Sequence, residues 1–464
     1  MSEEKLIQRP DSDKDQAPAP SIESLSQRSQ KLLEGLAQAQ GRGESPSDQE
    51  LEEALESLKA DLDGQGLGLL EESLDWLREY GLYELSVPLL EEAWSAELPL
   101  DFHGRVAQDW VGSVLFGLGD ERGARQVAQH LSKRAMDLGP AFCNDLCDMW
   151  LEWGFFAEAE PLARFVHDKQ PGEISALFHL LICAKMRLDW TEASSWLKAL
   201  DERRAMGTDQ APDPSIEWNR GLLAVAQHDW ATAREAWSKV GFRFPDDEGD
   251  EPHSDYAQPG ELSPVRLKID LETVTAAKGA LPRSEVVWGR RIGPARVELT
   301  GIPYFHPQFK SGDLLLIDGV REGKVDFNGE TYPVSPALGV WSASPGETFR
   351  FYGAQESLKQ GIILDRFVQE LGERGWAIVH WTRMIRKETP SKQPLLQLAL
   401  YLPPERKISD FYELFSAFMN TEGAPKLFNP RYAELVGEEV TVHQTAWVEL
   451  GINGSETQAA EVKH

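Results

Sequence analysis

The sequence has few of the features that mark secreted and membrane-spanning proteins. Its 464 residues include only 3 cysteines, an odd number that provides no disulfide framework and suits a reducing compartment. It contains no run of about 18 apolar residues, so we expect no transmembrane helix. The first residues, MSEEKLIQRPDSDKD, lack the apolar region of a signal peptide. These absences predict a cytoplasmic protein.

Motifs that carry chemistry are also missing. The chain has no Gly-x-Ser-x-Gly elbow, no phosphate-binding loop, no Gly-x-Gly-x-x-Gly after a strand and no His-Glu-x-x-His. The histidines are scattered, and only His380 and His443 fall on strands that could be neighbours. Two histidines without a nucleophile or a set of ligands are weak evidence for a site. We therefore predict no catalytic residues, no cofactor and no enzymatic activity.

Basic residues are scarce relative to acidic ones. The chain has 47 Lys and Arg residues against 76 Asp and Glu residues, which gives a formal net charge of -29. A negative surface repels phosphate backbones and anionic lipid headgroups, so it disfavours nucleic acids and membranes as partners. Hydrophobic residues make up 41% of the chain, enough for packed cores.

The stretch from Ala141 to Pro171 has the pattern of a helical hairpin. Its first half carries apolar or small residues at helical spacing, namely Cys143, Leu146, Cys147 and Trp150. Gly154 ends this helix, and Pro171 ends the second one. The second helix carries Ala159, Leu162, Ala163 and Val166 on one face. A single hairpin cannot bury both stripes, so it requires similar hairpins as neighbours.

The same turn recurs along the chain at a spacing near ~34 residues. The recurring turns are Gly81-Leu82-Tyr83, Gly119-Asp120, Asp189-Trp190 and Asp229-Trp230. An aromatic residue follows four of the five turns, and we expect Tyr83, Phe156, Trp190 and Trp230 to wedge between the helices of their hairpins. The second hairpin departs from this pattern, with Glu121 at the aromatic position.

This pattern resembles the tetratricopeptide repeat family. The third hairpin carries the motif best, at Trp150, Gly154, Phe156, Glu158-Ala159, Ala163 and Pro171. The resemblance covers Leu67 to Phe244, roughly two fifths of the chain. It implies an α-solenoid, a right-handed superhelix of helix pairs whose groove is lined by the first helix of each pair and binds partner proteins. A helical bundle without such a groove is the structural alternative.

Composition and periodicity predict a multidomain chain. The predicted parts are residues 1–50, a disordered polar tail with one candidate short helix; 51–244, the α-solenoid of tetratricopeptide-like hairpins; 245–282, an acidic linker with a candidate packing helix at Val265 to Ala277; 283–345, a small antiparallel β barrel or sandwich; 346–450, an α+β ferredoxin-like domain; and 451–464, a disordered tail. The barrel prediction rests on short alternating strands and on Asn328-Gly329, a strong hairpin signal. The ferredoxin-like prediction rests on a β-α-β-β-α-β order that ends in a strand from Val440 to Leu450.

The predicted groove is mostly acidic. The resemblance implies that it is lined by Glu71, Asp75, Asp109, Asn144, Asp148 and Glu152. Chaperone-binding members of the family use basic residues to hold a terminal carboxylate, and these are absent from the predicted set. We therefore expect a protein partner that presents a basic or mixed-charge segment.

Two other sets of residues have an alternative interpretation. Cys143 and Cys147 on one helix, with His179 and Cys183 on the next, could bind zinc, although buried cysteine is often a small core residue. We predict no metal site there.

The C-terminal sheet could bind RNA if its aromatic residues were exposed. The candidates are the aromatic residues Phe349, Phe351, Tyr352 and Tyr401 and the basic cluster Arg383, Arg386, Lys387 and Lys392. The strand LLQLALYL, however, lacks the RNA-binding signature.

The sequence as a whole favours a non-enzymatic adaptor or scaffold that docks a partner segment in the solenoid groove. One alternative is an enzyme with its site in the C-terminal β and α+β region, where the repeats recruit substrate. The other is RNA binding through the ferredoxin-like sheet.

Overall fold

The computed structural model describes residues 23–63, 67–95, 100–206, 213–244, 262–268, 284–306, 308–354, 357–381 and 395–450. The chain divides into two compact units, residues 1–183 and 184–464. The predicted tails at residues 1–22 and 451–464 and the acidic stretch at 245–261 lie outside the described residues.

The first unit is built from helical hairpins. Its helices are α1 (Gln27–Gly41), α2 (Asp48–Leu62), α3 (Leu67–Glu79), α4 (Tyr83–Ser95), α5 (Leu100–Gly112), a π-helical turn (Ser113–Gly117), α6 (Glu121–Leu138), α7 (Pro140–Glu152) and α8 (Phe156–Lys169). The next helix, α9 (Ile174–Met186), crosses the boundary between the units. The helix α1 falls in the segment predicted as a polar tail, where it corresponds to the candidate short helix, and it packs on α2.

The third hairpin confirms the predicted pair of helices and their buried stripes. Both predicted stripes, Cys143 to Trp150 on α7 and Ala159 to Val166 on α8, are buried. Gly154 has a φ of 75°, which ends the first helix at no steric cost. The fully buried aromatic at this turn is Phe155, whereas the predicted wedge, Phe156, is only half-buried. The wedge prediction was therefore wrong by one residue in this hairpin.

The second unit begins with the last repeat helices, α10 (Trp190–Ala205), α11 (Pro214–Ala226) and α12 (Trp230–Lys239). At their turns, Leu188 and His228 both have a φ of 61°, although bulky residues rarely adopt this conformation. The side chains of Asp189 and Asp229 cap the helices that follow by accepting backbone N–H bonds.

A five-stranded closed barrel follows these helices. Its strands are β1 (Leu262–Lys268), β2 (Ser284–Gly293), β3 (Arg296–Leu299), β4 (Leu314–Ile317) and β7 (Ser335–Ser342), and a hairpin of β5 (Lys324–Phe327) and β6 (Glu330–Pro333) is inserted before β7. Neighbours are antiparallel except β1 and β7, which are parallel. An odd number of strands that alternate in direction can only close with one parallel pair.

The barrel confirms the predicted β-rich region and corrects one helix. Asn328 and Gly329 both have positive φ, as the predicted two-residue hairpin turn requires. Val265 to Lys268 belong to β1, so the helix predicted from Val265 was wrong there, and residues 269–277 lie outside the described part. Strand β1 supplies Val265 and Leu267 to the barrel core.

The C-terminal region is a three-stranded sheet covered by helices. Its elements are β8 (Glu347–Ala354), α13 (Leu358–Glu373), β9 (Ala377–His380), β10 (Leu395–Leu402), α14 (Ile408–Met419), α15 (Pro430–Val436) and α16 (Val440–Glu449), with strand order β8-β10-β9. The strand predicted at Val440 to Leu450 was wrong, because that segment forms α16. A single bridge from Phe428 to Tyr352 lies at the free side of β8, where a fourth strand would pair. The ferredoxin-like assignment stays a prediction.

The barrel packs directly on the last repeat helices within the second unit. The indole N–H of Trp341 on β7 donates to the Val225 carbonyl on α11 at 3.3 Å. The buried guanidinium of Arg296 lies 4.9 Å from the ring of Trp230 and 5.1 Å from that of Trp341. Trp230 therefore packs against the barrel, in addition to its position at the hairpin turn.

Candidate partner-binding face

The predicted partner-binding residues lie on the first helices of three consecutive hairpins. Glu71 and Asp75 are on α3, Asp109 is on α5, and Asn144, Asp148 and Glu152 are on α7. These helices lie side by side, since α5 packs on α7 and side chains of α3 and α5 form ion pairs. We call the exposed side of α3, α5 and α7 the first-helix face.

Two arginines neutralise the acidic residues on α3 and α5. Arg105 lies 2.8 Å from Glu71 and 3.6 Å from Asp75. Arg78 lies 2.8 Å from Asp109 and 3.4 Å from Asp75. Two basic residues that do not belong to the predicted set therefore lie on this face. Local spacing could have found both arginines, since Arg78 follows Asp75 by three residues and Arg105 precedes Asp109 by four. Their pairs with acids of the adjacent first helix, about one repeat away along the chain, could not be found in this way.

Asp109 is the most buried carboxyl of this network. Its side chain is 17% exposed. Burial raises the pKa of Asp109 above its usual value, although Arg78 and Arg105 act in the opposite direction. This carboxyl is therefore enclosed in the first-helix face and offers little surface to a partner.

Polar bonds also join α7 to α9. Ser175 donates to the side-chain oxygen of Asn144 at 2.8 Å, and His179 lies 2.6 Å from Asp148. His179 is buried, whereas the side chain of Asp148 is 64% exposed. Asn144 therefore mainly positions α9, while Asp148 still presents a carboxylate to solvent.

The accessible negative charge is concentrated on α7. Asp145, Asp148 and Glu152 are all exposed, and their spacing of three and four residues places them on one side of the helix. We call these three residues the acidic line. Asp145 was missed in the sequence analysis, although the same i, i+3, i+7 spacing was visible there. On α7, then, carboxylates remain available, whereas Glu71, Asp75 and Asp109 of α3 and α5 are paired with arginines.

The cysteines near this face are buried in helix packing. Cys143, Cys147 and Cys183 are free thiols. The thiol of Cys147 donates to the carbonyl of Ala159 at 3.5 Å, and that of Cys183 donates to the carbonyl of Phe156 at 3.7 Å. Burial raises the pKa of Cys143 to about 11 and also raises that of Cys147. Protonated thiols are poor metal ligands. In the described part of the chain, no group of three or more His, Cys, Asp or Glu side chains could hold a metal ion.

The C-terminal sheet does not bring the predicted RNA-binding aromatics to the surface. Phe349 and Phe351 are buried in the core that the sheet shares with α13 and α14. Tyr401 packs with Trp381 on the opposite face, and Tyr352 packs with Trp447 of α16. The predicted exposed platform was therefore wrong, and Arg383, Arg386, Lys387 and Lys392 lie outside the described residues.

The two histidines that were expected on neighbouring strands do not both lie in the sheet. His380 is on β9, where it lies 2.5 Å from Asp365 of α13. His443 is on helix α16, next to Phe428 at the β8 side. Because His443 lies on a helix, the prediction of neighbouring strands was wrong.

A small cavity of about 130 Å³ lies between the last repeat helices and the barrel in the second unit. It is lined by Leu188, Trp190, Ala226, His228, Leu316, Gly339, Val340 and Trp341. His228 is the one titratable side chain in this lining, whereas acid–base chemistry usually needs several such groups together. The cavity therefore does not favour the enzyme alternative.

Among the helices that the structure describes, none combines the length and the apolar composition needed to cross a bilayer.

No protein-family model matches the chain, and neither does any curated protein. Solved structures do match its helical part. A MamA fragment from Desulfovibrio magneticus is 18% identical, with a TM-score of 0.24, and the match covers 47% of this chain and 94% of that one. PilW, a type IV pilus biogenesis factor, is 13% identical, with a TM-score of 0.27 and coverage of 46% and 93%. A tetratricopeptide repeat protein from Parabacteroides merdae is 16% identical, with a TM-score of 0.22 and coverage of 46% and 93%. The repeat character of the helices is established by the hairpin geometry described above.

Proposed function

We propose that the chain is a non-enzymatic adaptor whose first unit docks a basic segment of a partner protein on the first-helix face, at the acidic line of α7. The observation that carries this proposal is the exposure of Asp145, Asp148 and Glu152 on one side of one helix. Three carboxylates at helical spacing produce a local negative field that attracts a basic segment and orients it along the helix.

The difference between α7 and its neighbours supports this location. The predicted acids of α3 and α5, Glu71, Asp75 and Asp109, pair with Arg78 and Arg105, so their negative charge is largely compensated. Among the acids of α7, Asp148 is the one that pairs with another described residue, His179 on the next first helix. A lysine or arginine of a partner would therefore bind most favourably at α7.

In the second unit, the chain's own barrel covers the corresponding region of the last repeats. Lys185 on α9 and Asn219 on α11 are buried, and Lys185 donates to both Asn219 and Asp318 of the barrel. Gly319 lies so close to Trp218 of α11 that a Cβ there would be 2.5 Å from the indole. These repeat residues contact the barrel, which favours the first unit as the docking surface.

The test is a charge reversal of Asp145 and Glu152 to lysine in the full chain. Both side chains are exposed, and the reversal leaves the Asp148–His179 pair in place. The tagged protein is used to capture partners from its native cell extract, and the captured proteins are quantified by mass spectrometry. We expect capture of the specific partner to fall at least tenfold, since two like-charge contacts each cost about 1 kcal/mol or more.

The double variant Asp137→Lys with Asp168→Lys is the matched control. Asp137 on α6 and Asp168 on the last turn of α8 are exposed and lie on second helices, so this variant makes the same change in net charge away from the first-helix face. Capture should be unchanged in this variant. If the double reversal on α7 captures as much as the control, the proposed docking site is wrong.

A further inference from the structure

The first helix of the second hairpin ends in a π-helical turn that places an aromatic side chain in solvent. The N–H of Leu118 donates to the carbonyl of Ser113 at 2.9 Å, which is the i to i+5 bond of a π-helix. Phe116, within this turn, is 69% exposed. Such turns inserted into α-helices are often found at functional sites, because the extra residue redirects side chains.

Phe116 lies on the first-helix face. It follows Arg105, Asp109 and Gly112 at spacings of four, three and four residues, so it continues their side of α5. Its ring lies 5.8 Å from that of Trp153, at an interplanar angle of 89°. Trp153 is half-buried and lies directly after α7, with its ring near Gly112. We call Phe116 and Trp153 the aromatic step.

The aromatic step adjoins the acidic line. Glu152, the last residue of that line, directly precedes Trp153 in the chain. The face of an aromatic ring attracts cations, and a neighbouring carboxylate adds an ion pair. A planar guanidinium can stack on a ring and bond a carboxylate at the same time, so this pairing suits arginine better than lysine.

The same combination of groups already holds an arginine elsewhere in this unit. The guanidinium of Arg125 lies 4.6 Å from the centroid of the Phe155 ring. It also lies 2.9 Å from a carboxylate oxygen of Glu158 and 3.2 Å from one of Glu121. Arg125 thus shows how an arginine can use one ring and adjacent carboxylates in this repeat.

We propose that the aromatic step is the anchoring site for an arginine side chain of the partner segment, which stacks on Phe116 while its charge is shared with the acidic line. This inference rests on the proposed function, and it specifies the partner as an arginine-containing basic segment of another protein. The negative charge of the acidic line excludes an acidic occupant. The exposed ring of Phe116 provides a stacking surface that the acidic line by itself lacks.

The test measures binding of a fluorescent N-acetylated hexa-arginine peptide to the full chain by fluorescence anisotropy at constant ionic strength. Phe116→Ala should weaken binding about two- to fivefold, the range for an exposed cation–π contact. Phe116→Leu should weaken it similarly, because it retains apolar area but has no ring. Phe116 is exposed, so neither substitution disturbs the core. Leu118→Ala, which removes another exposed apolar side chain at the same turn, is the control and should bind like the wild type.

The outcomes separate this inference from the proposed function. If Phe116→Leu binds the peptide as tightly as the wild type, the step provides only apolar contact and the arginine assignment is overturned. If both Phe116 variants match Leu118→Ala while the lysine reversal of Asp145 and Glu152 still weakens binding, the acidic line acts alone. If the reversal has no effect but Phe116→Ala does, the step binds arginine and the acidic docking site is rejected.

Discussion

Acidic side chains on successive first helices have very different surroundings on the first-helix face. Asp148 is exposed beside a buried histidine, whereas Asp109, one repeat earlier, is enclosed between Arg78 and the packed helices. Burial penalises the ionised form of Asp109 more than the arginines favour it, so its pKa is raised. Ionisation of Asp109 in the folded chain is therefore disfavoured at neutral pH, even though its carboxylate pairs with Arg78.

Asp109→Asn tests this account. Because the pKa of Asp109 is higher in the folded chain than in the unfolded chain, its contribution to stability is present at low pH and is lost as the pH rises through the folded pKa. The neutral amide avoids this loss. We expect the free energy of unfolding at pH 7 to rise by about 0.5 kcal/mol, at the small end of the range for single substitutions. Urea unfolding across pH 4 to 8 measures it, and a gain that does not grow with pH would contradict the assignment.

The hairpin turn is the element that repeats most faithfully, yet it is built with different residues in the two units. The first unit uses glycine at the left-handed position, at Gly81, Gly119 and Gly154. The second unit uses Leu188 and His228, whose side chains line the cavity against β7. A left-handed conformation costs a non-glycine residue about 1–2 kcal/mol. In the second unit, contacts with the barrel offset this cost.

The same glycine-to-alanine substitution, made once at a turn and once inside a helix, tests whether the turn requires glycine. Gly154→Ala should lower the free energy of unfolding by about 1–2 kcal/mol, because alanine is strained at a φ of 75°. Gly104→Ala, in the interior of α5, should raise it by about 0.5–1 kcal/mol, because the new methyl group meets Phe142 at an ordinary 3.7 Å and alanine favours helix. Thermal unfolding of the two variants provides the comparison. Equal effects of the same sign would contradict the role given to the turn.

At the scale of the molecule, the barrel and the last repeat helices belong to one compact unit. A buried ion pair joins them, with Lys185 lying 2.7 Å from Asp318 and their side chains 3% and 10% exposed. Burial by itself would raise the pKa of Asp318, but Lys185 and the Gly319 N–H hold it below its usual value. This contribution to stability is present above the unfolded pKa and is lost as the pH falls.

Lys185→Met removes one half of this pair. We expect it to lower the free energy of unfolding by about 3–5 kcal/mol, because Asp318 then stays buried without a compensating charge. The double variant Lys185→Met with Asp318→Asn removes both charges and should recover most of the loss. Circular dichroism during denaturation reports on helices and strands together. If the single variant were as stable as the wild type, the ion pair would not join barrel and helices.

Local patterns in the sequence determined the helical hairpins and most strands. Apolar spacing on α7 and α8, the left-handed Gly154 and the Asn328-Gly329 turn each act within a few residues, so they can be recognised without the fold. The same holds for the six predicted partner-binding residues, five acids and Asn144, whose positions on first helices follow from the repeat. For the candidate site, the sequence predicts that acids lie on the first helices, but it does not predict which carboxylates remain accessible.

Only the tertiary structure decided which charges are available. Arg78 and Arg105 neutralise their neighbours across a helix boundary, and a contact between residues about 30 positions apart leaves no trace in local periodicity. Long-range contacts likewise made Val265 to Lys268 a strand of the barrel and placed α16 where a fourth strand was predicted. Only the structure shows that α5 ends in a π-helical turn, in which Phe116 is 69% exposed.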